Sequence, residues 1–450
     1  MVLEFHRFFQ VANPSKTLDL GKPEDRPYYI DFTTVRGGKI IAELGRTITR
    51  LSPNQPTCQL FTGHIGCGKS TELLRLKYEL EQQEFFVVYF ESSQDLVMAD
   101  VDITDILLAI AHKVSSSLEK LKISLQPQGL KGLLQGAMAV LKTELDVSGD
   151  VSLPGLGDIS ASSEGELSLA LGIGKITMKT KNSPKLREQL RQYLEPRTDK
   201  LLEQINKELL KPAIEQLKRQ GKRGLVVIVD NLDRVDNTFR LGKRTQPEYL
   251  FVDRGEQLKQ LQCHVVYTIP LVLTFSNDLG RLRNCFGVDP KLLPMVRVQQ
   301  RDGSVCEEGM NLLRQMVLAR AFPDLESQAR LDLISAVFDN WETLERMCQV
   351  SGGHVRNLMV LLYSCLQKED PPISRGCLED VIRRQRDGLV RSITEDEWEL
   401  LRKVVQHRIV KGEEEYQTLL RSMFVFEYED RQGSWFSINP LLLGLPQLVE

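Results

Sequence analysis

The sequence predicts an α/β protein: a parallel-sheet core with helices on both faces, then a helical module, then a small terminal unit of helices and a hairpin. Three observations predict it. Residues 58–62, 84–91, 225–229 and 265–268 are continuous apolar runs rather than alternating ones, which suits strands covered on both sides. A glycine-rich stretch follows the first run and opens a helical pattern over residues 69–82, with Leu73, Leu74, Leu76 and Leu80 at helical spacing. After about residue 305 the periodicity becomes helical and stays so until the last hairpin.

The elements follow in order. Residues 39–51 read as an amphipathic helix, and 295–298 as a fifth strand. Leu130, Leu133, Leu134, Ala137, Met138 and Leu141 form one face of another helix. From 147 to 178 the chain is rich in Gly and Ser, and Leu167, Leu169, Leu171 and Ile173 alternate, which predicts hairpins in a β-rich insertion spanning about 125–200. Residues 175–200 carry eight bases against three acids. A long polar helix over 184–219, broken near Pro196 or Pro212, returns the chain to the sheet. Helices are then expected over 307–321, 328–338, 341–350, 355–367 and 377–389. Thr394-Glu395-Asp396-Glu397 is a capping box that opens a helix. A second helix over 413–423 and strands at 424–429 and 434–438, joined by a turn, complete the outline of a winged helix. The expected domains are an N-terminal segment (1–50), the sheet core (51–304), a helical lid (305–390) and the winged unit (391–450).

Composition narrows the class. With 450 residues the chain can bury two or three cores, and 42% hydrophobic with 26% charged residues is ordinary for a soluble protein. A net charge of −3 gives no whole-chain reason to expect nucleic acid. No apolar run approaches the roughly 18 residues of a transmembrane helix, and the first residues do not read as a secretion signal. Eight scattered cysteines, with no CxxC pair and no zinc spacing, suit reduced thiols and a cytoplasmic location.

The chemistry concentrates in one loop. Gly63-His64-Ile65-Gly66-Cys67-Gly68-Lys69-Ser70 fits G-x-x-x-x-G-K-[ST] between a strand and a helix, the context that spacing requires. Glycines let the backbone N–H groups turn inward around phosphate oxygens with no Cβ in the way. The following helix, with Thr71 in its first turn, adds its positive dipole end. Lys69 is expected to neutralise the β- and γ-phosphates, and the Ser70 hydroxyl to bind Mg²⁺. The expected cofactors are therefore ATP and Mg²⁺. Asp230, at the tip of the 225–229 run, supplies the second metal-side group, acting through water. The next position, where a carboxylate could activate water, holds Asn231, which cannot take a proton. Asp233 either replaces it as base or is structural, with slow turnover.

With these motifs the chain resembles the AAA+ ATPases. Within them it resembles the STAND signalling ATPases (the NACHT-like group) and the origin-recognition initiator ATPases, from about Tyr28 onward apart from 125–200. The resemblance implies an ASCE-type P-loop core. Val35-Arg36 and the helix after them look like the segment that lies against adenine. Thr268 falls where these families keep a polar sensor of the γ-phosphate. Ser351-Gly352-Gly353-His354-Val355-Arg356 looks like their second sensor, with Arg356 reaching the nucleotide from the lid. Asp230-Asn231-Leu232-Asp233-Arg234 is similar to the Asp-x-Leu-Asp-Arg box of the KAP ATPases. Arg281 and Arg283 are candidates for an arginine finger, although exposed surface arginine is the better reading of either.

What the resemblance implies is a regulatory ATPase whose nucleotide state controls conformation or self-association, in bacterial defence or signalling. No effector motif is fused to it, so the effector or sensor is expected to be a separate protein. A DNA-binding initiator or loader is the alternative. Against it, residues 391–450 carry seven bases and eleven acids, a poor start for contacts to phosphate. A third reading docks the 125–200 insertion on lipid or nucleic acid, although amphipathic strands more often bury against protein.

Overall fold

The computed structural model describes residues 3–147, 168–240 and 244–448. Five parallel strands form the central sheet: β1 (Cys58–Gly63), β2 (Phe86–Glu91), β3 (Leu225–Asp230), β4 (His264–Thr268) and β5 (Lys291–Leu293), ordered β2-β3-β4-β1-β5. The apolar runs are continuous because both faces are covered. Leu60, Val88, Phe90, Val227, Val229, Val265 and Tyr267 pack on one side with the helix Ile103–Lys120. Phe61, Val87, Val226, Ile228 and Val266 pack on the other with α2 (Ile40–Arg46) and α3 (Lys69–Gln82). Register sets Glu91 opposite Asp230 and Phe61 opposite Thr268, so the polar strand ends gather at one rim of the sheet.

Two expectations about this core are corrected. The fifth strand is Lys291–Leu293, and 295–298 is not a strand. Met295 and Val296 are buried because two other elements grip them: Met295 N–H donates to the Glu427 carbonyl (2.9 Å) and Val296 N–H to the Gly353 carbonyl (3.3 Å). The described part of the insertion holds helices and no strand. Leu169–Lys181 is a helix capped by Ser168, burying Leu169, Ile173, Ile176 and Thr180 and leaving Leu171 exposed. Spacings of four, three and four won over the two-residue alternation read from the sequence. Leu167, like all of 148–167, lies outside the described residues. The Gln128–Val147 helix buries Leu130, Leu133, Leu134, Ala137 and Leu141, as its face predicts.

The polar stretch 184–219 breaks at a 3-10 turn, Glu195–Arg197, while Pro212 follows a π-helical segment, Ile205–Leu210, in a backbone that stays helical up to Arg219. Part of its positive charge points inward. Arg187 pairs with Asp100 at 2.9 Å, and Arg191 with Asp100 at 2.9 Å, Asp102 at 3.4 Å and Asp105 at 3.6 Å. Those two arginines tie the insertion to the core. They are not offered to an anionic surface.

Helices Glu307–Ala321, Trp341–Val350, Val355–Leu366 and Arg375–Val390 share a separate apolar core, joined by Phe8 of α1 (Phe5–Val11). The last 55 or so residues form helices Glu395–His407, with the expected Thr394–Glu397 capping box, and Glu414–Arg421. The antiparallel hairpin β6 (Val425–Asp430) and β7 (Gly433–Ile438) follows. Its two faces have different fates. Val425, Phe436 and Ile438 pack on these two helices, whereas Phe426, Tyr428 and Trp435 enter the core beneath α2 and α3. No helix among the described residues is long and apolar enough to cross a membrane.

Candidate functional site

The β1–α3 loop takes the shape its glycines predict. Gly63, Gly66 and Gly68 have φ of 152°, 87° and 106°. At Gly66 a Cβ would also lie 2.9 Å from the His354 ring, so both the backbone angle and the neighbour demand glycine. Lys69 opens α3 and folds back over the loop. Its Nζ donates to the carbonyls of Gly63 (2.7 Å) and His64 (2.8 Å) and pairs with Asp233 at 2.9 Å. Burial pulls the ammonium pKa down, but the Asp233 carboxylate outweighs it and holds the group above its ordinary value.

Asp230 reaches the same place from β3. Its carboxylate accepts from the Tyr89 hydroxyl (2.8 Å), from the Asn231 N–H (2.7 Å) and from Ser70. Burial and then the nearby Asp233 charge raise its pKa, against these hydrogen bonds. Ser70 and Asp230 are thus adjacent, as a hydroxyl ligand and a water-mediated carboxylate for Mg²⁺ should be. Asn231 is buried in the left-handed region (φ 65°), which asparagine tolerates better than most residues. Its amide donates to the Ser93 hydroxyl at 3.3 Å. Asp233 Oδ1 is buried with no hydrogen-bond partner. That unspent acceptor beside Lys69 is what a base, or a group that orients water, would present.

A cleft runs from this loop toward the N-terminal segment. Its polar end holds Gly66, Gly68, Lys69, Ser70, Thr71, Asn231, Asp233, Arg234 and Arg356. Its other end is largely apolar and aromatic, with Val11, Pro14, Leu18, Tyr28, Ile30, Phe32, Met316 and Met359. Six cations (Lys16, Arg36, Lys69, Arg234, Arg320 and Arg356) line it against two acids, Glu72 and Asp233. A phosphate chain at one end and a flat base at the other match that division. Arg320 is wholly buried, its pKa lowered to about 10 by burial, and donates to the Tyr28 carbonyl at 2.8 Å.

The predicted site residues divide accordingly. Arg36, Ile65, Gly66, Gly68, Lys69, Ser70, Thr71, Asp233 and Arg356 all line the cleft. Arg36 donates to the Cys67 carbonyl at 2.8 Å and stacks over Phe32. Gly63, His64, Cys67 and Asp230 stand behind them in the loop and at the β3 tip. Val35 does not line the cleft; it is buried in the core of the helical module. Thr268 does not line it either. Its hydroxyl accepts from Leu232 N–H at 2.9 Å and donates to the Val229 carbonyl at 3.4 Å, bracing the turn that carries Asn231 and Asp233. Arg281 pairs with Asp253 and Asp278, and Arg283 with Asp289, all within the chain.

Sequence reasoning missed three contributors. Tyr89 stood in an apolar run, and its polar tip was the available clue. The segment Asn13–Leu18 had no motif. The third is a junction behind the loop. His64 Nε2 accepts from the Glu427 N–H at 3.0 Å, which puts its proton on Nδ1. His354 caps its helix through Nδ1 and donates from Nε2 to the Ile65 carbonyl at 2.8 Å. Phe426 lies between them, stacked on His354 (5.8 Å) and edge-on to His64 (6.0 Å). Gly352 and Gly353 have φ of 61° and 73°, and a Cβ would meet Phe426 at 2.7 Å and the Val296 carbonyl at 1.7 Å respectively. Gly352 makes room for the hairpin and Gly353 for the backbone at Val296.

Residues 38–241 match the family described as the KAP family P-loop domain, a span that includes both the Lys69 loop and the Asp230 turn. Solved structures similar to the chain include the Aeropyrum pernix ORC2 protein in its ADPNP–ADP complexes (10% identity, 99% of this chain and 96% of that one, TM-score 0.42). A Walker-type ATPase of Pyrococcus abyssi has 11% identity over 95% of this chain and 97% of that one, TM-score 0.41. Cdc6p from Pyrobaculum aerophilum has 11% identity over 98% and 96%, TM-score 0.39. No curated protein matches the chain.

Proposed function

We propose that this P-loop ATPase is a regulatory switch, in which ATP–Mg²⁺ held between the sheet core and the helical lid sets the position of the C-terminal hairpin. One observation carries the reading. The phosphate loop is bonded at successive residues to the hairpin and to the lid: His64 to Glu427, Ile65 to His354 and Gly66 to the Arg356 N–H (3.2 Å). A loop that tightens around phosphates pulls on both, so the two arrangements differ in nucleotide affinity, as a switch requires.

The residues fit the cofactor. Lys69 and the glycine cradle bind phosphate oxygens, Arg356 brings lid charge to the same end, and the apolar end excludes water from the base. Ser70 and Asp230 would hold Mg²⁺, which would supply charge neutralisation on the phosphates. Asp233 is the residue placed to hold or take a proton there, since Asn231 cannot. The acidic balance of 391–450 favours a protein partner over DNA for the terminal unit, and self-association or a separate effector follows as the output.

Amide hydrogen exchange across 424–438 tests the switch. Saturating ATP–Mg²⁺ is expected to change protection there in the wild type and not in Lys69→Ala. Identical exchange with and without nucleotide, under conditions where binding is verified, rules it out.

A further inference from the structure

The cleft has a phosphate end and an apolar end, and one acid stands between them. Glu72 belongs to α3, the helix leaving the phosphate loop, and its N–H still bonds the Gly68 carbonyl at 3.1 Å. Its carboxylate meets Tyr29, in the N-terminal segment beside the apolar end. Glu72 and Tyr29 line the same cleft as Gly66, Gly68 and Lys69 and as Ile30, Phe32 and Met359, so the sugar of a nucleotide spanning those two groups would come within their reach.

The carboxylate is both oriented and underused. The Tyr29 hydroxyl donates to Oε1 at 3.1 Å and to Oε2 at 3.4 Å, one donor shared over two oxygens. Arg75 holds that hydroxyl (2.8 Å) and lies 3.6 Å from Oε2. Glu72 is 7% exposed, so its remaining lone pairs face either protein or cleft. Asp233, the other acid of the cleft, stands at the phosphate end, paired through Oδ2 with Lys69. A buried carboxylate on a cleft wall suits hydroxyl donors, and an acid accepting from ribose hydroxyls is a recurrent solution in nucleotide sites.

We propose that Glu72 reads the sugar of the bound nucleotide, its carboxylate accepting hydrogen bonds from the ribose 2′- and 3′-hydroxyls and so selecting ribonucleotides over deoxyribonucleotides. This rests on the nucleotide reading of the cleft. Tyr29 is its positioning residue, fixing the plane of the carboxylate.

The test is calorimetric titration of the full chain with ATP, 2′-deoxyATP and 2′,3′-dideoxyATP, each with Mg²⁺. Wild type is expected to bind ATP at least about tenfold more tightly than dideoxyATP, the scale of a hydrogen bond to a charged group. Glu72→Gln, which keeps shape and loses charge, should narrow that ratio, and Glu72→Ala should bring it near one. Tyr29→Phe should narrow it as well, and it supplies the readout if Glu72→Ala does not fold. A carboxylate that merely balances Arg36 and Arg75 would lower affinity for all three nucleotides alike, leaving the ratio intact; that result overturns the proposal. So does a wild type that binds all three equally. A wild type that binds none of them overturns the nucleotide reading beneath it, a distinct outcome.

Discussion

Lys69 is held by two carbonyls and Asp233, and Asp230 by Tyr89, Asn231 and Ser70, so the two charges that define the phosphate end are each fixed by neighbours. Tyr89 is the most informative of those neighbours, because it touches the acid and not the cleft. Tyr89→Phe keeps the ring in the sheet and removes one donor. Mg²⁺-dependent ATP binding is expected to weaken about ten- to hundredfold, with affinity in EDTA unchanged, as for other groups that orient a metal-side ligand. Equal losses with and without Mg²⁺ would mean Tyr89 only supports the strand. At this scale the sequence was most legible where backbone geometry dictates residue type: the glycines of the loop, the lysine after them, the acid ending a buried strand. It was least legible for side chains such as Tyr89 and Thr268. Their roles depend on which strands are neighbours, and local spacing carries no record of that.

Among the elements, the β6–β7 hairpin joins parts that the sequence kept separate. Its titratable groups give it a pH signature. Burial, against a hydrogen bond to Ser434, raises the Glu427 carboxyl from 4.5 to about 7. Burial lowers His64 from 6.5 to about 3, aided by His354 and Lys69, and lowers His354 from 6.5 to about 4. Below pH 6.5 the unfolded chain protonates both imidazoles and the folded one does not, so stability falls as pH drops toward 4. Glu427 acts in the opposite sense. The folded chain keeps a proton that the unfolded chain loses above pH 4.5, so this group's contribution declines from pH 4.5 to about 7. Glu427→Gln removes only that second effect. Urea melts are expected to show a higher midpoint than wild type at pH 8, and a steeper loss between pH 6.5 and 4.5. Superimposable profiles would count against a buried acid. Most helices of the helical module and the terminal unit were readable from their periodicity, and one from its capping box, but the helix expected over 328–338 is a short helix, Ser327–Leu331, followed by a 3-10 turn, Ile334–Ala336. The insertion was misread because Leu169, Leu171 and Ile173 fit a two-residue period over too short a window, and burial of Ile176 and Thr180 decides for the helix.

For the molecule as a whole, the core of the helical module reaches the cleft through Phe32, Met316 and Met359, and the N-terminal segment lines its far end. No sequence motif could announce that segment, since its role comes from where α1 docks, on a helix some 300 residues later. If the nucleotide sets the association state, mass photometry of the full chain with ATP–Mg²⁺ should show a heavier species that Lys69→Ala does not form. A single mass in every condition would confine the switch to conformation within one chain.

The order β2-β3-β4-β1-β5 has a consequence of its own. β2 and β3 are immediate neighbours at the border of the sheet, so everything between residues 91 and 225 departs and comes back along one outer seam. None of the described residues of that excursion lines the cleft. An annex rooted at that border is anchored to the sheet by its outermost pair of strands, while the β1–α3 loop belongs to a strand flanked by neighbours on both sides.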